Sequence, residues 1–133
     1  MILGIGIDSI EIDRLIPWTQ FPHPQLLRVF HAEELAYCFQ NPTRTAERLA
    51  ARFAAREAFF KALAQHCIKP LPFLTLCKIM QVKNQPSGAP ELIVNWDYLN
   101  TKGYVCFDQS PNVHISLTHT HTQATAIIII ETP

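Results

Sequence analysis

The chain has 133 residues, with 11 Lys plus Arg against 11 Asp plus Glu and a formal net charge of zero. That length predicts one domain, residues 1–133, around a single buried core. The balanced charge leaves no overall field to draw nucleic acid or an anionic membrane.

Ile2 to Ile7 is a short apolar run that predicts a strand, in which Gly4 and Gly6 let another backbone approach closely. It delivers Asp8 to its C-terminal end. The next residues, SIEIDRLI, have mixed spacing and predict an irregular or extended stretch; Asp8 with Glu11 also fits a helix capping box. Pro17, Pro22 and Pro24 mark a loop, and Gln25 to Gln40 predicts helix, with a break and a fresh cap near His31 and Glu34.

Asn41, Pro42 and Thr43 supply a cap and a first-turn proline for a long central helix, predicted from about Thr43 to about Gln65. Within it, RFAAREAFFKAL (Arg52 to Leu63) has neither Gly nor Pro. At about 100° per residue, Glu57 and Lys61 lie side by side, with Ala54, Ala55, Ala58 and Ala62 on an adjoining face and Phe53, Phe59, Phe60 and Leu63 on the remaining arc. A helix covered on most of its circumference leaves such a pair partly desolvated. A carboxylate there can hold a hard cation such as Mg²⁺, and the ammonium one turn on can touch a phosphate that the cation binds. The same pair also fits an ordinary surface interaction worth ~0.3 kcal/mol. Arg44, Arg48, Arg52 and Arg56 recur every four residues, drifting by about 40° per step, and predict a basic stripe of which some members meet an external anion.

Beyond Pro72 the apolar period becomes two, which predicts a strand through Leu74, Leu76, Met80 and Val82, a turn at Asn84 to Pro90 and a second strand at Glu91 to Trp96. Further strands are expected at Tyr104 to Phe107, Val113 to Thr118 and Ala124 to Glu131. Four consecutive isoleucines in the last predict burial on both faces, within the subunit or against another copy. The fold class is therefore α+β, an antiparallel sheet packed on a long central helix. Cys38, Cys67, Cys77 and Cys106 have no CxxC spacing and lie in apolar runs, which predicts reduced core thiols in a cytosolic protein. No basic leader precedes Asp8, so no secretory signal is expected, and residues 109–130, though free of Asp, Glu, Lys and Arg, are too rich in His, Thr, Asn and Gln to span a bilayer. His119 and His121 are spaced to share one face of a strand and could ligate zinc, but His114 has the other parity and no acid or cysteine completes the set.

With Asp8 after GIGID, the helix RFAAREAFFKAL and the late SLTHT at Ser116 to Thr120, the chain resembles the bacterial holo-acyl-carrier-protein synthases of the 4'-phosphopantetheinyl transferase superfamily. RVFHAEEL around Arg28 and GAP at Gly88 to Pro90 extend the likeness over most of the sequence. The resemblance implies Mg²⁺-dependent transfer of the phosphopantetheine arm from coenzyme A to a serine of apo acyl carrier protein, with release of adenosine 3',5'-bisphosphate. It implies Asp8 and Glu57 as Mg²⁺ ligands and Lys61 as the cation beside the pyrophosphate. It further implies Arg52, His119 and Thr120 at coenzyme A, Gly88 and Pro90 at its nucleotide, and Arg44 at the 3'-phosphate. Arg14 and Arg28 match positions that meet the acidic carrier, and the family is usually a homotrimer with active sites between subunits, which gives the last strand's second apolar face something to cover.

Three features depart from that pattern. Arg56 stands where the family has lysine, AQHCIKPLP replaces a glycine-rich continuation of the central helix, and Ala89 replaces the lysine of a GKP turn. These departures leave open a coenzyme A-binding or scaffold protein of the same fold without turnover, and the paired histidines leave open a zinc hydrolase.

Overall fold

The computed structural model describes all 133 residues. The first strand, β1 (Ile2–Glu11), runs past Asp8, so this residue lies within a strand rather than at its tip or in a helix cap, and only then does the chain turn through a 3-10 segment at Ile12–Leu15. A second 3-10 turn occupies Pro17–Gln20. The predicted helix at Gln25 to Gln40 divides into α1 (His23–Leu26) and α2 (Ala32–Cys38), and the break runs from Leu27 to His31, whose backbone N–H donates to Glu34 Oε1 at 2.9 Å.

The central helix, α3 (Thr45–Leu63), is 19 residues long and is continued at each end by a 3-10 turn, Pro42–Arg44 and Ala64–His66. Asn41 caps the first of these, accepting from the Thr43 N–H at 3.2 Å and the Thr43 hydroxyl at 2.8 Å. Next come α4 (Phe73–Ile79), β2 (Met80–Asn84), β3 (Pro90–Val94), α5 (Trp96–Thr101), β4 (Asn112–His119) and β5 (Gln123–Glu131).

Three expected strands are corrected. Leu74 and Leu76 belong to α4, which starts after Pro72 and sets Phe73 against Phe53 and Phe60 of α3, with ring centroids 5.8 and 6.0 Å apart. Trp96 opens a helix instead of closing a strand, because the Asn95 side chain accepts from the Tyr98 N–H at 3.0 Å and caps it. Tyr104 to Phe107 is not a strand; Asn100 holds Phe107 through both its N–H and its carbonyl.

The strands form two antiparallel sheets, one of order β1-β5-β4 and a separate β2-β3 hairpin. The larger sheet lies against α3, with Ala124, Ala126, Ile128 and Ile130 of β5 fully buried beneath it. Contact is closest at β1. A Cβ built at Gly4 would lie 2.0 Å from the Ala62 carbonyl oxygen, and one at Gly6 would lie 1.8 Å from that of Ala58, so the alanine face of α3 and the two glycines form one backbone-to-backbone seam.

The isoleucine run is buried on one face only within this chain. Ile127 is 37% exposed and pairs in register with Ile7, which is 57% exposed. The cysteines also divide: burial pushes the Cys38 and Cys77 thiols up to about 11, Cys67 is half-buried, and Cys106 is exposed rather than in the core.

Candidate functional site

Asp8 points from β1 toward α3, and its position in the seam follows from Gly6 two residues earlier on the same face. Lys61 crosses to it, donating to Asp8 Oδ1 at 2.9 Å and to the Ile7 carbonyl at 3.0 Å. Glu57, one turn before Lys61, is half-buried. Its carboxyl is held above the usual carboxylate range, first by burial and then by the negative charge of Asp8, against the opposing pull of Lys61 and Arg14. Two acids distant in sequence therefore feel one another's charge, while the nearest ammonium is engaged by Asp8 and the Ile7 carbonyl. That donor set suits a hard divalent cation: two carboxylates supply charge and leave positions for water and phosphate oxygens.

A second group of residues gathers on another side of α3. A cleft of about 240 Å³ is lined by Arg44, Arg48 and Arg52, by Gly88 and Pro90 of the β2-β3 turn, and by His119. Arg48 and Arg52 stack over the Tyr37 ring at 4.1 and 4.5 Å, and their Nε atoms are buried with no acceptor. Three arginines lining one cleft fit an anionic ligand. A larger adjoining cleft of about 660 Å³ shares Arg44 and His119 and adds Thr43, Thr120 and His121. Glu47 lines both, accepting from Arg44 Nη2 at 3.2 Å and meeting His119 Nε2. The Thr120 hydroxyl accepts the Thr122 and Gln123 N–H groups at 3.2 and 3.0 Å and so forms the β4-β5 turn.

Two expectations are corrected here. Arg56 does not join the stripe facing the clefts, since it is fully buried in an ion pair with Glu34. His121 does not share a strand face with His119, because β4 ends at His119 and His121 lies in the turn. Sequence reasoning missed Tyr37, Glu47 and Asn84 as cleft residues. An acid three residues after Arg44 gives no hint that His119 will reach it from the end of β4.

Arg14 is exposed on the 3-10 turn after β1, close enough to Glu57 to act on its charge. Arg28 borders a separate apolar hollow of about 210 Å³ lined by Trp18, Phe21, Leu26, Val29 and Leu74. No helix is long and apolar enough to cross a membrane.

The 4'-phosphopantetheinyl transferase superfamily matches residues 4–127. A holo-[acyl-carrier-protein] synthase of Treponema pallidum is 40% identical over 132 residues, 98% of this chain and 97% of the relative. Another of that name from Treponema denticola is 40% identical over 134 residues, 98% and 99% of the two chains. The crystal structure of a holo-(acyl-carrier-protein) synthase from Bacillus anthracis in complex with CoA (3',5'-ADP) superposes with a TM-score of 0.73 at 29% identity, covering 100% of this chain and 99% of that one. The chain belongs to the holo-[acyl-carrier-protein] synthases of the 4'-phosphopantetheinyl transferase superfamily.

Proposed function

We propose that this protein transfers the 4'-phosphopantetheine moiety of coenzyme A to a serine of apo acyl carrier protein, in a Mg²⁺-dependent reaction that releases adenosine 3',5'-bisphosphate. The observation that carries the reading is the bond from Lys61 to Asp8 across the seam between β1 and α3, one helical turn from Glu57, whose carboxyl feels the charge of Asp8. Asp8 and Glu57 are the residues that would hold Mg²⁺. The chemistry such a cation would supply there is charge neutralisation at the pyrophosphate oxygens.

The rest falls to side chains. Lys61 places its ammonium beside the phosphate and balances negative charge as it develops. Arg44, Arg52, His119, Thr120 and the Gly88–Pro90 turn hold the nucleotide end of coenzyme A. The serine oxygen forms a bond to the phosphorus of the pantetheine phosphate, the bond from that phosphorus to the bridging oxygen breaks, and the electron pair leaves on adenosine 3',5'-bisphosphate. Glu57 takes up the serine proton through a water. Arg14 and Arg28 present positive charge to the acidic carrier, and the apolar hollow beside Arg28 receives part of its surface.

In one chain Arg52 and Glu57 point about 140° apart around α3. Joining the nucleotide cleft of one copy to the acids of a neighbour completes the site, and the exposed Ile5, Ile7 and Ile127 supply the apolar face on which a homotrimer closes. The test is incubation with coenzyme A, Mg²⁺ and a competent apo carrier. The expected result is a mass gain of one phosphopantetheine on the carrier. Coenzyme A binding without that gain would leave a scaffold protein of the same fold.

A further inference from the structure

The β2-β3 hairpin is not hydrogen-bonded into the larger sheet. A two-stranded hairpin is marginal on its own in water and needs something to dock against. Part of its docking is apolar, through Met80, Val82 and Leu92. The rest is a buried polar device.

Glu34 Oε2 accepts the Val82 N–H at 3.1 Å, so a carboxylate from α2 occupies the edge of β2 where another strand would otherwise pair. Arg56 grips the same carboxylate with both arms of its guanidinium, at 2.9 and 2.6 Å, and also reaches the Met80 carbonyl at 3.4 Å and the Arg52 carbonyl at 3.3 Å. Neither side chain is exposed at all. Burial alone would raise the Glu34 carboxyl, but Arg56 and the N–H groups of His31 and Val82 outweigh it and hold the carboxyl below its usual range.

A buried ion pair is weak evidence of a net gain in stability over an apolar core. Stripping water from two ions costs about as much as their attraction returns, and apolar side chains of similar volume often serve a core as well or better. Arg56 even leaves its Nε without an acceptor. What the fork does provide is geometry, because it ties α2, α3 and the outer edge of β2 at one point. The far end of that hairpin carries Gly88 and Pro90 into the nucleotide cleft, and Arg52, one turn before Arg56, donates to Asn84 Oδ1 at 3.4 Å across it.

The geometry points to Arg56 and Glu34 as positioning residues: their buried fork fixes the β2-β3 hairpin against α3 and so sets the width of the cleft between Arg52 and the Gly88–Pro90 turn. The effect on affinity rests on coenzyme A occupying that cleft, as proposed above. Neither residue touches the reacting atoms.

The test uses the full chain with Glu34→Gln and Arg56→Met combined, which removes both charges at similar volume, and the single change Arg56→Lys, which keeps the charge and loses the fork. Hydrogen exchange reads the Val82 amide and the hairpin; calorimetry reads coenzyme A binding; steady-state kinetics separate KM from kcat. The expected result for the double variant is a folded protein whose hairpin amides exchange faster, whose coenzyme A affinity falls about tenfold, and whose kcat at saturating coenzyme A changes far less than KM. Arg56→Lys should fall between, and it carries the test by itself if the double variant does not fold. Hairpin exchange unchanged in a folded variant, or coenzyme A affinity within about twofold of wild type, would overturn the inference. Should wild type bind no coenzyme A, the function proposed above fails, while faster hairpin exchange in the variant would still support the positioning role.

Discussion

Gly6 passes so close to Ala58 that a methyl group on its Cα would lie 1.8 Å from the Ala58 carbonyl oxygen, and the obstructing atom is helix backbone that no rotamer change can move aside. Gly6→Ala is therefore expected to push β1 off α3, at a cost of at least about 2 kcal/mol in chemical denaturation. Gly88→Ala provides the contrast. Gly88 has a φ of 88° but nothing within 4 Å of its added Cβ, so the cost there is backbone strain alone, about 1 kcal/mol. Equal costs at the two sites would refute the seam.

That seam also places Asp8 against Lys61, so the site is sensitive to both of its acids. Glu57→Gln is expected to lower divalent-dependent turnover about 10²-fold or more, and to remove the rise in melting temperature expected when Mg²⁺ is added to wild type. The sign without metal runs the other way. A carboxyl raised above its unfolded value contributes stability that is present below the unfolded pKa and is lost as pH rises through the folded one. At neutral pH the metal-free variant is therefore expected to be at least as stable as wild type. A clear loss of metal-free stability would show that Glu57 serves the fold instead.

Glu34 has the opposite sign. Its carboxyl is held below the unfolded value of 4.5, so the stability it contributes is present above that value and is lost as pH falls through the lower folded one. Denaturation midpoints measured between about pH 5 and pH 3 should fall for wild type, and the slope should flatten when Glu34→Gln and Arg56→Met are combined. Parallel slopes would mean that other carboxylates govern acid unfolding.

How far these features could be read from the sequence depended on whether their causes were local. The α3 helix, the two glycines and the Glu57–Lys61 pair follow from composition and spacing within a few residues. The α4 segment did not, because apolar residues at Leu74, Leu76 and Met80 satisfy period two while Phe73, Leu76, Cys77 and Met80 satisfy the helical period equally well over so short a run. Arg56 was misread for a different reason. A drift of about 40° per step carries the fourth arginine about 120° from the first, far enough to face the core, but only the fold reveals that Glu34 waits there. The departure of His121 from the strand depends on the Thr120 hydroxyl closing a turn, which alternation of His and Thr does not disclose.

The exposed strip of Ile5, Ile7 and Ile127 connects that reading to assembly. Ile7 points away from α3 and packs on nothing in its own chain beyond its strand neighbours, so Ile7→Glu should be nearly neutral for a monomer yet should disperse a trimer, seen as a fall in solution mass. Activity should fall with it if each site draws on two copies. A mixing experiment separates assembly from chemistry: Glu57→Gln disables the acids of a copy, while Arg44→Ala combined with His119→Ala disables its cleft. Each variant alone should be inactive. Refolded together in equal amounts, they should recover about a quarter of wild-type turnover, the chance that an intact cleft meets intact acids across an interface. No recovery from a mixture that forms trimers of wild-type mass would place both halves of the site in one chain.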